Sequence, residues 1–63
     1  MYQSSSSKYN FIIEEDTPET GWFLYVYENE KCIADYMQDS LELTKEFAFE
    51  EYEVAMNSWK VSS

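Results

Sequence analysis

The chain has 63 residues, so it can hold only one small domain, close to the size limit for folding on a hydrophobic core alone. Cys32 is its single cysteine and histidine is absent, which excludes an intramolecular disulfide and a zinc site. The 13 acidic residues outnumber four lysines and give a net charge of −9, which excludes binding to nucleic acids and to anionic membrane surfaces.

The N-terminus contains four consecutive serines, a composition typical of a flexible segment. We expect residues 1–7 to form a flexible leader, residues 8–60 to form a single α+β domain and residues 61–63 to fray. No signal peptide is evident, and the longest apolar run, residues 22–27, is too short to span a bilayer. Together with the free cysteine, these features predict a cytoplasmic protein.

Alternation of side-chain character predicts three strands. The first covers Tyr9 to Glu14, the second Trp22 to Glu28 and the third Lys31 to Met37. The only proline and the only glycine lie between the first two strands and predict a loop there. Between the second and third strands, Asn29 fits a tight hairpin turn because asparagine tolerates positive φ.

Beyond the third strand the apolar spacing becomes helical. Asp39 is the predicted N-cap, with Glu42 completing a capping box, and Ser40 is an alternative cap. The helix is expected to end near residues 53–55, and Trp59 is expected to seal the end of the core. The stripe that faces the core is predicted to consist of Leu41, Thr44, Ala48, Tyr52 and Ala55, widened by Phe47 towards Leu43 and Val54.

The residue types offer little catalytic chemistry. Without histidine, Ser-His-acid and Cys-His arrangements are excluded, and one glycine cannot form a phosphate-binding loop. Glu14, Glu15 and Asp16 form the densest acidic group, but their spacing matches no calcium-binding loop. Asp35 is expected to face solvent, and Cys32 is expected to pack as a small apolar residue. We therefore expect no enzymatic activity, no metal and no cofactor.

The predicted fold is α+β: a three-stranded antiparallel meander with one helix packed on one face (β-β-β-α) and a short C-terminal extension as an option. The second strand is apolar on both faces, but one helix covers only one of them. If Trp22, Leu24 and Val26 meet the helix, the opposite face exposes aromatic rings, as protein interfaces do. Alternatively, these tyrosines are only good strand formers. The candidate protein interface consists of Ile12, Phe23, Tyr25 and Tyr27, with Ala34 or Tyr36 added according to register.

The order of these elements resembles a known antitoxin family. The segments YNFIIEED, GWFLYVYE and CIADYMQDSLELTKEFAFEEYEV, within residues 9–54, are similar to the HicB-type antitoxin domain. The resemblance implies a partial RNase-H-like β-β-β-α fold without nuclease activity, which neutralises a basic RNA-cleaving toxin and commonly oligomerises. Residues 28–38 lack the proline and glycine that mark this segment in the family, and no functional residue is carried over.

These observations predict a small acidic protein-binding domain. Its expected partner is a protein with a basic surface, which it neutralises in the manner of an antitoxin or an immunity protein. The alternative is a structural homodimer that buries the same aromatic face against a second copy. Neither interpretation involves direct contact with nucleic acid or with a membrane.

Overall fold

The computed structural model describes residues 1–15 and 21–61. Its elements, in chain order, are β1 (Tyr2–Ser5), β2 (Asn10–Glu15), β3 (Trp22–Glu28), β4 (Lys31–Gln38), α1 (Leu41–Tyr52) and β5 (Lys60–Val61). The strands form one antiparallel sheet in the order β4-β3-β2-β1-β5. The helix α1 packs against β2, β3 and β4 on one face of this sheet.

The α+β class agrees with the sequence pattern, but the predicted three-stranded meander is wrong because the sheet has five strands. The additional strands β1 and β5 lie in or beside the segments expected to be a flexible leader and a frayed tail. A turn joins β1 to β2, in which the Ser6 N–H donates to the Tyr9 carbonyl at 2.8 Å. Backbone groups form this ladder, so a serine-rich segment can pair without an alternating apolar pattern.

The hairpin between β3 and β4 has the predicted tight turn. Asn29 and Glu30 have φ angles of 51° and 67°, and Glu28 pairs with Lys31 on either side of them. Positive φ at both central residues is the property of the type I′ turn, which matches the twist of the strands it joins. The strand β3 has its predicted bounds. The predicted loop between β2 and β3 falls on residues 16–20, outside the described residues.

The N-cap of α1 is Ser40, so the prediction of Asp39 as the cap is wrong. The Ser40 Oγ accepts a hydrogen bond from the Leu43 N–H at 3.1 Å, and the Thr44 Oγ1 donates to the Ser40 carbonyl at 2.8 Å. The helix ends at Tyr52 because Glu53 takes the left-handed conformation, with φ 59°. Both ends therefore use standard capping geometry.

The core lies between α1 and the sheet. Its buried apolar side chains are Phe11, Ile13, Leu24, Val26, Ala48 and Val54. The predicted core-facing stripe is confirmed for the buried Thr44, Ala48 and Val54 and for the partly buried Leu41, Phe47 and Tyr52. Leu43 and Ala55 are exposed, so the prediction is wrong for them. Trp59 packs partly buried against this core, with its ring centroid 6.4 Å from that of Phe11, and closes one end as expected.

A pair of tyrosines links α1 to β4. The hydroxyl oxygens of Tyr36 and Tyr52 lie 3.0 Å apart and share a hydrogen bond. The hydrogen bond from Tyr36, followed by desolvation, raises the pKa of Tyr52 to about 12. The proton on the Tyr52 hydroxyl is therefore held more tightly in the folded protein than in the unfolded chain.

This difference predicts how stability changes at high pH. Unfolded tyrosine titrates near pH 10, so the contribution of Tyr52 is complete below pH 10 and is lost as the pH rises towards about 12. In Tyr52→Phe we expect a smaller loss of stability over this range, measured by urea unfolding at a series of pH values. Tyr27→Phe on the opposite sheet face serves as the control. Identical pH profiles for the two variants would contradict the prediction.

Candidate protein-interaction surface

The surface of interest is the sheet face opposite α1, called the outer face below. Strand alternation places it on the side away from the buried pairs Phe11–Val26 and Ile13–Leu24. Among the described residues, no helix or strand packs on this face. On β2, β3 and β4 its side chains include those of Ile12, Glu14, Phe23, Tyr25, Tyr27, Ile33, Asp35 and Met37.

Four of the five predicted interface residues lie together on the outer face. Ile12 is the cross-strand partner of Tyr25, and Phe23 and Tyr27 flank Tyr25 along β3. All four side chains are half-buried. The rings of Phe23 and Tyr25 stack with centroids 6.0 Å apart and an interplanar angle of 22°. Phe23, Tyr25 and Tyr27 therefore line the middle of the outer face along β3.

Tyr36, the fifth predicted residue, lies on the other face of the sheet. It is the cross-strand partner of the buried Leu24, and its ring centroid lies 4.5 Å from that of Phe47 in α1. Ala34 lies on the same side, opposite Val26. Neither residue belongs to the outer face, so the prediction that Ala34 or Tyr36 joins the interface surface is wrong.

Tyr36 and Ala34 lie on the helix face because the register shifts within the β3–β4 hairpin. Regular pairing from the two-residue turn would place Tyr36 opposite Phe23, on the outer face. Instead the register shifts by one residue between Val26 and Tyr27, as it does at a β-bulge, and Tyr36 pairs with Leu24. A shift of one residue moves every side chain of the strand to the opposite face.

Ile33 and Met37 are the surface residues that sequence reasoning missed. They are 45% and 59% exposed, respectively, and they extend the apolar outer face to the edge of the sheet. The sequence does contain a signal for this orientation. In the regular register Asp35 would lie opposite Leu24, beneath the helix, where an unpaired carboxylate is costly. The register shift keeps Asp35 in solvent and brings Ile33 and Met37 outward with it.

Two carboxylates are placed among these apolar side chains. Glu14 is the cross-strand partner of Phe23 on β2, and Asp35 is the partner of Tyr25 on β4. They lie on opposite sides of β3, so the stacked rings are flanked by negative charge on both sides. The arrangement suits a partner surface that combines apolar contacts with cations.

Next to this surface lies an open depression of about 530 Å³. It is lined by Ile12 and Phe11, and otherwise mainly by polar residues from β1, β2 and the segment around β5, including Asn10, Ser58 and Lys60. These polar groups are neutral except for the single ammonium of Lys60. The lining therefore provides hydrogen-bonding groups but no arrangement of acid, base and nucleophile.

The acidic group before the loop and Cys32 are the other residues that the sequence offers for metal binding or reactivity. Of the acidic group before the loop, Glu14 and Glu15 end β2, and Asp16 lies outside the described residues. Within residues 1–15 and 21–61, no three acidic or cysteine side chains are placed to hold a metal ion. Cys32, expected to be packed, is exposed on β4, and its thiol donates to the Ala34 carbonyl at 3.5 Å.

No family model matches the chain, and neither does any curated protein or solved structure. The similarity of residues 9–54 to the HicB-type antitoxin domain thus stays a prediction based on the order of the elements. In the part of the chain that the structure describes, no helix is long and apolar enough to cross a membrane.

Proposed function

We propose that this protein is a small acidic binding domain without catalytic activity, which docks its outer face on a basic protein partner. The observation that carries the proposal is the two-sided strand β3. Leu24 and Val26 are fully buried beneath α1, while Phe23, Tyr25 and Tyr27 line the opposite face. Aromatic residues surrounded by polar groups are enriched in protein interfaces.

The charge of the chain favours a basic partner. Its 13 acidic residues are matched by only four lysines. The Lys8 ammonium already lies 3.6 Å from the Glu28 carboxylate, and the Lys45 ammonium lies 5.1 Å from the ring centroid of Tyr2. A basic surface would be attracted over long distances and then oriented by Glu14 and Asp35 on the outer face.

Neutralisation of a basic toxin, in the manner of an antitoxin or an immunity protein, is the role that we propose for this binding. Its support is the acidity of the chain and the resemblance of residues 9–54, by sequence pattern, to the HicB-type domain. The absence of histidine from the sequence removes the commonest general acid–base residue, which supports a binding role over an enzymatic one. We place the protein in the cytoplasm, where an exposed thiol such as that of Cys32 remains reduced.

The test compares two single variants in one binding assay. The immobilised chain is used to isolate a partner from its source cells, and the identified partner is then purified and titrated directly. Tyr25→Ala is expected to weaken binding at least roughly tenfold, as loss of a central aromatic contact does. Phe49→Ala is the matched control, because this ring is 52% exposed on α1, away from the outer face. A larger loss in Phe49→Ala would assign binding to the helix and contradict the proposal.

The competing proposal is a homodimer that buries the outer face against a second copy. The apolar side chains favour it, whereas Glu14 and Asp35 disfavour it because each copy brings the same negative charges. Sedimentation equilibrium over a range of concentrations separates the two proposals. A chain that stays monomeric at high micromolar concentration would eliminate the homodimer.

A further inference from the structure

The two edges of the sheet differ in a way that suggests a second mode of contact. At one edge, β5 has two residues, Lys60–Val61, in the part of the chain that the structure describes. At the other, β4 has eight, Lys31–Gln38, and among the described residues it pairs only with β3. A long edge strand presents unpaired backbone N–H and C=O groups, to which another extended chain can add.

The segment of β4 beyond the register shift is regular. Residues 34 to 38 pair continuously with β3, while Ile33 has no cross-strand partner at the shift. From Ile33 to Gln38, exposed side chains alternate with half-buried ones. Along an edge strand about every second residue directs its N–H and C=O groups away from the sheet, so this segment offers about three residues for pairing. An added strand would place its alternate side chains beside Ile33, Asp35 and Met37, and would widen the outer face.

The charge of Asp35 determines which kind of extended chain can pair with the β4 edge. Two copies of β4 that pair about a two-fold axis, with Ile33 opposite Met37, bring Asp35 opposite Asp35 of the second copy. Like charges directly opposite destabilise a strand pair, and each copy also carries a net charge of −9. In this register the like charges oppose the pairing of two copies, whereas a strand with a cation opposite Asp35 is attracted.

We propose that the β4 edge binds an extended segment of the basic partner, with lysine or arginine opposite Asp35 and apolar residues opposite Ile33 and Met37. The inference deepens the proposed function, since the added strand continues the outer face. The recognition pattern is apolar-x-Lys/Arg-x-apolar. Backbone hydrogen bonds provide affinity in this mode, and the alternate side chains provide specificity.

Two synthetic peptides test the proposal on the full chain labelled with ¹⁵N. One is Thr-Val-Thr-Lys-Thr-Val-Thr and the other has Glu in place of Lys; both are palindromic, so either strand direction presents the same side chains. We expect the Lys peptide to shift the amide signals of residues 33–38 and to bind roughly threefold or more tightly than the Glu peptide, since cross-strand charge pairs have this effect. In Asp35→Asn this preference is expected to disappear.

Any of three results from the titrations would overturn the proposal: no shift of β4 amides at millimolar peptide, equal affinity for both peptides, or shifts centred on α1 or on the depression at β1 and β5. A wild-type dimer in sedimentation that is paired through β4 would also overturn it. Asp35→Asn is nearly isosteric at an exposed position, so the variant should fold, and its amide spectrum verifies this. If Tyr25→Ala keeps full affinity for the partner while the Lys peptide still binds β4, only the outer-face proposal fails.

Discussion

Replacement of Leu24 by alanine is expected to lower the free energy of unfolding by about 2–5 kcal/mol, the cost of removing a fully buried leucine side chain. Leu24 is 0% exposed and lies on the interior strand β3 beneath α1, between Ile13 and Tyr36. A domain of this size has little stability to spare. The variant is therefore expected to be largely unfolded at moderate temperature.

The adjacent residue of the same strand provides the control. Tyr25→Ala removes a larger side chain from the half-buried outer face, and we expect it to cost only about 1 kcal/mol. Urea unfolding followed by circular dichroism measures both variants. Equal losses would mean that the two faces of β3 are equally buried, and the outer face would then not be an available docking surface.

Gly21→Ala is expected to destabilise the protein by about 3 kcal/mol through backbone strain and a steric clash. Gly21 has a φ of 104°, a conformation that side chains with a Cβ rarely adopt. A Cβ at this position would lie 2.5 Å from the carbonyl oxygen of Gln38. Gln38 pairs with Trp22 at the end of the β3–β4 ladder, so its backbone cannot withdraw without loss of that pairing.

Thermal unfolding measures the effect, with Glu53→Gly as a control of opposite sign. Glu53 has a φ of 59° at the C-terminal end of α1, where glycine is the favoured residue, so this variant should gain up to about 1 kcal/mol. A melting temperature for Gly21→Ala within error of the wild type would show that the backbone at residue 21 relieves the clash at no cost. The close approach of Gly21 to Gln38 would then be unimportant for stability.

The sequence by itself determined the elements with strong local patterns. The alternation in residues 22–28 defined β3, and the change of period after β4 located α1. It also determined that β3 is apolar on both sides, from which the candidate interface residues Ile12, Phe23, Tyr25 and Tyr27 followed. The elements and the shared face of these four residues could be predicted because side-chain periodicity is a local property of the backbone, whereas their role as an interface stays a prediction.

The tertiary structure decided the strand count and the register in which β4 pairs with β3. The strands β1 and β5 are held in the sheet by backbone pairing. The serines of the N-terminus show no alternating apolar pattern from which β1 could have been predicted. The register shift at Val26 and Tyr27 turned Tyr36 inward and Ile33 and Met37 outward. Such a shift depends on packing across strands, since burial of Asp35 beneath the helix is the cost that it avoids. Local periodicity is present in the amino-acid order, whereas strand pairing and its register arise only when the elements meet.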